Sequence, residues 1–283
     1  MKSLITALMS LFGQKRQTPK AEATYAITDL PAAFQETVSH AIRPAIRLNR
    51  DGKGRSHLGG RPSLPADMAW PCDAGEPLAF LGQIALSELP QPLASTLDFP
   101  SDGILYFFFD QEQSVWGTEP ADKAKWRVLY ACSSGRATGA APAGLKVEYQ
   151  KANITFSTIG TLPDELDGVA FDDASHETYL ELKSQLSGPF PKHLMGGYPD
   201  PVQNDDMDMD CEIMSQRISG DRERVSQAEM KQNARDWMLL LQLDTDDDLG
   251  MMWGDVGRLY FWIRKADLQA RNFENVWMWL QCH

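Results

Sequence analysis

The chain has few of the residues and none of the short motifs that announce a familiar chemistry. Its 283 residues include only four cysteines, Cys72, Cys132, Cys211 and Cys282, far apart and never in a CxxC pair. That excludes a zinc ribbon and a disulfide framework and points to a reducing cytoplasm. No Gly-x-Ser-x-Gly elbow, Walker loop or dinucleotide fingerprint occurs, and the glycine-rich "HLGGRPSLP" at 57–65 meets neither phosphate-binding spacing. Basic charge is short as well: 27 Lys and Arg stand against 39 Asp and Glu, a formal −12. Such a balance works against phosphate-backbone contacts, excludes nucleic acid as the expected partner and favours a basic or neutral one.

Long apolar runs are also missing. Leu4 to Phe12 is too short to cross a bilayer, no small-x-small cleavage site follows it, and Lys15 and Arg16 come directly after. Leu4, Ile5, Leu8, Leu11 and Phe12 recur at helical spacing, so residues 1–24 are read as an amphipathic helix and linker. Residues 4–12 could give weak peripheral membrane contact.

What is abundant is apolar surface: 43% of residues are hydrophobic and 10% aromatic, enough for a sizeable core over 25–283. "TDLPAAFQETVSHA" predicts a helix over 29–41 capped by Asp29, and "AIRPAIRL" reads as an edge strand because Pro44 cannot donate to a ladder. Glycine and proline put the first glycine motif in a long loop over 51–77. "GLKVEYQKANITFSTI" alternates like one or two strands, and "SHETYLELKSQLSG" reads as a helix with Ser175 as its cap. A further helix is expected in "VSQAEMKQNARDW".

The motif at 57–65 has a counterpart, "HLMGGYPDP", at 193–201. After the first come "LAFLGQIAL", "DGILYFFFD" and "WRVLYAC"; after the second come "WMLLLQLDT", "VGRLYFWIR" and "VWMWLQC". Both series run from a glycine loop through a strand containing glutamine and a Gly-x-Leu-Tyr-Phe strand to an aromatic strand ending in cysteine. This order matches His57 with His193, Gln83 with Gln242, Gly103 with Gly257 and Tyr106 with Tyr260. It predicts an internal duplication with units over 57–132 and 193–282 and an insert over 133–192. The near-continuous apolar strands imply sheets covered on both faces. The expected class is α+β: two related β-rich halves packed together with a few helices.

Candidate site residues follow from the same motifs. His57, Gly59, Gly60, Arg61, His193, Gly196 and Gly197 could let backbone approach a ligand, although the histidines show no catalytic partner and on their own would fix their turns. Gln83 and Gln242 either tie their strands to neighbouring loops or line a cleft between the halves. In "LDTDDDLGMMWGD", Asp244, Asp246, Asp248 and Asp255 echo the spacing of a calcium loop, but Leu249 stands where that loop wants glycine. A divalent cation is the only cofactor this pattern suggests. A second acidic stretch, "NDDMDMDCE", spans 204–212.

The combination of "HLGGRPSLPADMAWP", "PLAFLGQIALSEL", "GILYFFFD" and the closing "LLLQLDTD…WGDVGRLYFWIRKADLQARNFENVWMWLQC" resembles the YwqG-like family, domain of unknown function 1963, from about residue 40 to the C-terminus. The resemblance implies a compact α+β domain built on related halves, mostly in bacterial cytoplasmic proteins, and brings no reaction and no catalytic residues. With the acidic charge it implies a binding or accessory protein, of an immunity type, covering a basic protein partner, rather than an enzyme. The alternatives are a metal-dependent enzyme using the acidic loop and His193, or a small-molecule sensor with its site between the halves.

Overall fold

A computed structural model describes residues 26–132, 141–166, 168–220 and 225–283. The helix expected at residues 4–12 lies outside them. Strands β1 (Arg43–Arg50), β2 (His57–Leu58), β3 (Cys72–Asp73), β4 (Glu76–Pro77), β5 (Ala79–Ala85), β6 (Ile104–Phe109) and β7 (Trp126–Ala131) are followed by β8 (Ala152–Thr161), β9 (Leu194–Met195), β10 (Trp237–Asp244), β11 (Arg258–Arg264) and β12 (Trp277–Gln281). Ten of them form one sheet in the order β12-β11-β10-β9-β1-β8-β2-β5-β6-β7, with β3 and β4 as a separate ribbon. Every pairing is antiparallel. Among the described residues, six α-helices complete an α+β fold: α1 (Ala32–Ala41), α2 (Leu93–Thr96), α3 (Asp173–Ser187), α4 (Met207–Ser219), α5 (Gln227–Ala234) and α6 (Lys265–Gln269).

The strand order reads the same outward from β1–β8 in both directions: two residues of glycine-motif strand, then three long strands. Period-two alternation then buries both faces of each wing. In β6, Leu105, Phe107 and Phe109 enter the main core, while Ile104, Tyr106 and Phe108 pack under Leu64, Met68 and Trp70. The wings close on each other, with Phe107 against Phe261 at 5.3 Å and Trp126 against Trp277 at 5.0 Å, both edge-to-face. Helix α4 covers part of the second wing, through Met207, Cys211 and Met214. Helices α1 and α3 build a separate cluster from Val38, Leu162, Tyr179 and Leu182.

Several local expectations are corrected. The "AIRPAIRL" strand is central rather than an edge, lying between β8 and β9. Pro44 is accommodated because β9 pairs only with Ile46 and Arg47, so position 44 has a ladder on one side alone. Helix α1 begins after Pro31, because Asp29 turns back to accept from the Ala26 N–H at 2.7 Å. Asp172, not Ser175, caps α3, accepting the Ser175 N–H at 2.8 Å. The first glycine motif is not wholly loop, since His57 and Leu58 bridge β8 to β5.

Candidate functional site

The two glycine motifs are held by the same device. Gln83 donates to the Arg55 carbonyl (2.8 Å) and accepts from Ser63 N–H (2.8 Å), while the Tyr106 hydroxyl donates to the Ser63 carbonyl (2.8 Å). Gln242 donates to the Lys192 carbonyl (2.8 Å) and accepts from Asp200 N–H (2.9 Å), while Tyr260 donates to the Asp200 carbonyl (2.9 Å). Gln83 faces Tyr106, and Gln242 faces Tyr260, across their ladders. Both glutamines are buried and fully used. They tie strand to loop.

These bonds correct one match. Gln83 lies opposite His57, but Gln242 lies opposite Leu194, so Leu194 stands where His57 does and His193 is offset by one residue. The reason is Met195, an extra residue ahead of the second glycine pair. The glycines superpose in conformation: φ is +59° and +67° at Gly59 and Gly60, and +70° and +68° at Gly196 and Gly197, a region that excludes most side chains.

Beyond the shared clamp the two loops differ. His57 Nδ1–H donates to the Gly59 carbonyl (2.9 Å), and burial, with Lys151 nearby, lowers its pKa to about 4. Its neutral ring therefore fixes the turn. Gly59 and Gly60 press against residues 149–151, where a Cβ on Gly59 would sit 2.0 Å from the Gln150 carbonyl oxygen, and Arg61 pairs with Glu148 at 3.2 Å.

The second loop instead carries a buried ionic network. Asp200 receives Lys192 at 3.1 Å and Arg258 at 3.0 Å, with Lys183 at 3.9 Å. Lys183 also pairs with Asp164, and Arg258 reaches Asp244 at 2.9 Å. Burial lowers the Lys183 pKa in spite of Asp200, whereas for Arg258 the carboxylates of Asp200 and Asp244 outweigh burial and raise it. In the first wing Ala85 and Ile104 face each other where Asp244 and Arg258 do in the second, so no such network forms there.

The acidic loop does not gather its four carboxylates. Asp244 accepts from Arg258 and from Lys192 N–H (2.7 Å). Asp246 accepts from Arg50 and from His193 Nε2–H (3.2 Å), and His193 Nδ1 accepts the Asp244 N–H (3.0 Å). Burial pushes the Asp246 carboxyl up, but the His193 and Arg50 hydrogen bonds more than reverse it. Asp248 is exposed on the other side of Arg50 at 2.6 Å, and Asp255 is exposed. No group of three metal-ligating side chains occurs among the described residues.

The outer side of the second glycine loop opens onto a groove of ≈ 1010 Å³. Gly196, Gly197 and Tyr198 form one wall, with the N-terminal end of α4, the 163–166 segment and Thr96–Asp98 around them. Trp237, Met238, Leu239 and Trp262 supply apolar surface from β10 and β11. Six carboxylates, Asp98, Asp164, Glu165, Asp205, Asp206 and Asp208, line it against three cations, Arg43, Arg235 and Lys265. Burial and then Asp206 raise the Asp208 pKa, and burial, Asp206 and Asp208 raise that of Asp210 next to it. Of the candidate site residues, only Gly196 and Gly197 line this groove, together with Asp205, Asp206 and Asp208 of the acidic stretch at 204–212. His57, Gly59, Gly60, Arg61, Gln83, His193, Gln242, Asp244, Asp246, Asp248 and Asp255 do not. Lys183, Lys192, Asp200 and Arg258 were missed, although Asp200 in "HLMGGYPDP", standing where "HLGGRPSLP" has Ser63, was a visible signal.

Fold and site together define an antiparallel α+β protein with an acid-lined groove beside the second glycine loop. The chain belongs to the family described as Domain of unknown function (DUF1963), whose family model matches residues 56–282. No match was found among curated proteins.

Proposed function

We propose that this chain is a binding protein, of accessory or immunity type, that receives a basic protein partner on its acidic face. The observation that carries this reading is the groove beside the second glycine loop, where six carboxylates face three cations over an aromatic and aliphatic floor. Complementary charge of this kind speeds encounter and selects partners, while the apolar floor supplies affinity. The buried network around Asp200 holds the wall in place before a partner arrives, so little ordering is left to binding. The reading calls for no cofactor and no catalytic residue. Four cysteines without disulfides fit a cytoplasmic setting.

We further propose that the two wings arose by duplication, with units near 57–132 and 193–282. The shared glutamine–tyrosine clamp, the shared glycine conformations and the mirrored strand order support it. On this view β1 and β8 lead their own units but pair into the opposite one: β1 with β9, and β8 with β2.

The test is retrieval from the native host with wild-type protein and with Asp205→Lys/Asp206→Lys. Wild type should retain one stoichiometric basic protein at low salt, release it as salt rises, and lose it in the variant. Absence of any stoichiometric partner at low and moderate salt would sink the reading.

A further inference from the structure

Trp262 lines the groove and is 5% exposed, yet its indole N–H has no acceptor. It is the only buried side-chain nitrogen or oxygen without a hydrogen-bond partner among the described residues. Other buried indoles are satisfied: Trp237 donates to Glu212, Trp253 to the Asp244 carbonyl, Trp277 to the Gly117 carbonyl and Trp279 to Cys211. Leaving a donor unmet costs ~1–3 kcal/mol, so a protein that satisfies its other indoles and not this one is short of an acceptor at this place. In the same groove, among the described residues, no cation lies within ion-pair distance of the side chains of Asp205, Asp206 and Asp208, and Arg43 acts on Asp208 only at longer range. The groove is thus short of two things, a hydrogen-bond acceptor at its apolar floor and a cation at its acidic wall.

We infer that the groove accepts an extended polypeptide segment bearing a lysine or arginine beside an apolar residue. The cationic side chain ends among Asp205, Asp206 and Asp208, the apolar one lies over Trp237 and Leu239, and a main-chain carbonyl takes the Trp262 indole N–H. A simple polyamine would answer the carboxylates but offers no carbonyl, and an acidic peptide would offer the carbonyl but meet the wrong charge. This inference rests on the binding-protein reading and names the element of the partner that is read. The carboxyl pKa of Asp208, raised first by burial and then by Asp206, is consistent with it, since a bound cation would favour the ionised form.

The probe is a blocked hexapeptide of alternating lysine and valine, titrated into the full chain while the Trp262 indole resonance is followed, assigned with Trp262→Phe. Its glutamate–valine counterpart and spermidine are run in parallel. The lysine–valine peptide should shift the Trp262 indole proton downfield in a saturable manner. Asp205→Asn/Asp206→Asn should weaken its binding about tenfold or more, a loss of ~1.4 kcal/mol. Both aspartates are exposed, and an unchanged melting temperature checks that the variant is folded. Three results overturn the inference: an equal indole shift with spermidine, equal binding of the glutamate peptide, or lysine-peptide binding that leaves Trp262 unmoved. In each case a host partner lost in the Asp205→Lys/Asp206→Lys variant would leave the binding-protein reading standing; without such a partner both fall.

Discussion

Gln83 and Gln242 sit in strands whose other side chains are almost all aliphatic or aromatic, and each spends its amide on two backbone groups of a glycine loop. Replacing Gln242 by leucine keeps the volume close but strands the Lys192 carbonyl and the Asp200 N–H inside the protein. The expected loss is ~1–3 kcal/mol in urea-induced unfolding, and Gln83→Leu should cost a similar amount because its bonds are the same. A loss confined to one of the two would show that the clamps are not equivalent. At this scale the sequence was informative about residue type but not about partners. The presence of an amide in each strand was visible, whereas its two acceptor and donor atoms lie 20 to 50 residues away in the chain. His193 shows the converse. Its motif matched that of His57, yet a single inserted residue moved it off the equivalent place and onto Asp246.

Helix α4 joins structure to the groove. At its centre Glu212, fully buried, accepts from Gln216, Asn233, Trp237 and Arg264, which binds α4 to α5 and to β10 and β11. At its start Asp208 is half-buried, and burial, then the neighbouring Asp206, raises its pKa. A carboxylate whose folded pKa lies above its unfolded value opposes folding once ionised, so Asp208→Asn should raise the melting temperature at pH 7. The gain should shrink as pH falls through the raised folded pKa towards the ordinary value of about 3.9. Melting curves of the two proteins between neutral and acid pH check this, and a gain that grows on acidification would contradict it. Helices α1, α3 and α5 were legible from caps and periodicity, though their ends moved by a few residues, whereas the sequence of α4 was read only as an acidic stretch. Asp172 outcompeted Ser175 as the cap of α3, and Asp29 closed its own short turn, because local side-chain bonds compete among adjacent polar residues.

For the whole molecule, acid stability is set by buried groups in both wings. Glu212 and Asp246 have lowered pKa values: burial opposes this, but hydrogen bonds from Gln216 and Trp237 in one case, and from His193 and Arg50 in the other, exceed it. Their contribution is present above the ordinary carboxylate range and is lost as pH falls through the lowered values. His57 acts earlier. Its pKa falls from 6.5 to about 4 on folding, so between those limits the unfolded chain binds the proton and the folded one does not. Stability should therefore decline from about pH 6.5 downward, by an amount on the order of 3 kcal/mol by pH 4. Urea midpoints measured at pH 7, 6 and 5 should fall in wild type and flatten over that range in His57→Gln, which is itself less stable. An equal slope in the variant would assign the titration elsewhere.

By itself, the sequence determined the α+β class, the burial of both faces of the long strands and the order of loop and strands in each wing. These depend on local periodicity and on glycine conformations that a short stretch of chain settles alone. Only tertiary structure decided that β1 is central, since an edge is defined by what pairs with it. Tertiary structure also decided that Asp244, Asp246 and Asp248 are consumed by Arg258, His193 and Arg50, and that Asp205, Asp206 and Asp208 instead line a groove with Trp262. Charge can be counted in a sequence, but whether a carboxylate is neutralised depends on the few ångströms to its nearest cation, and long-range folding sets that distance.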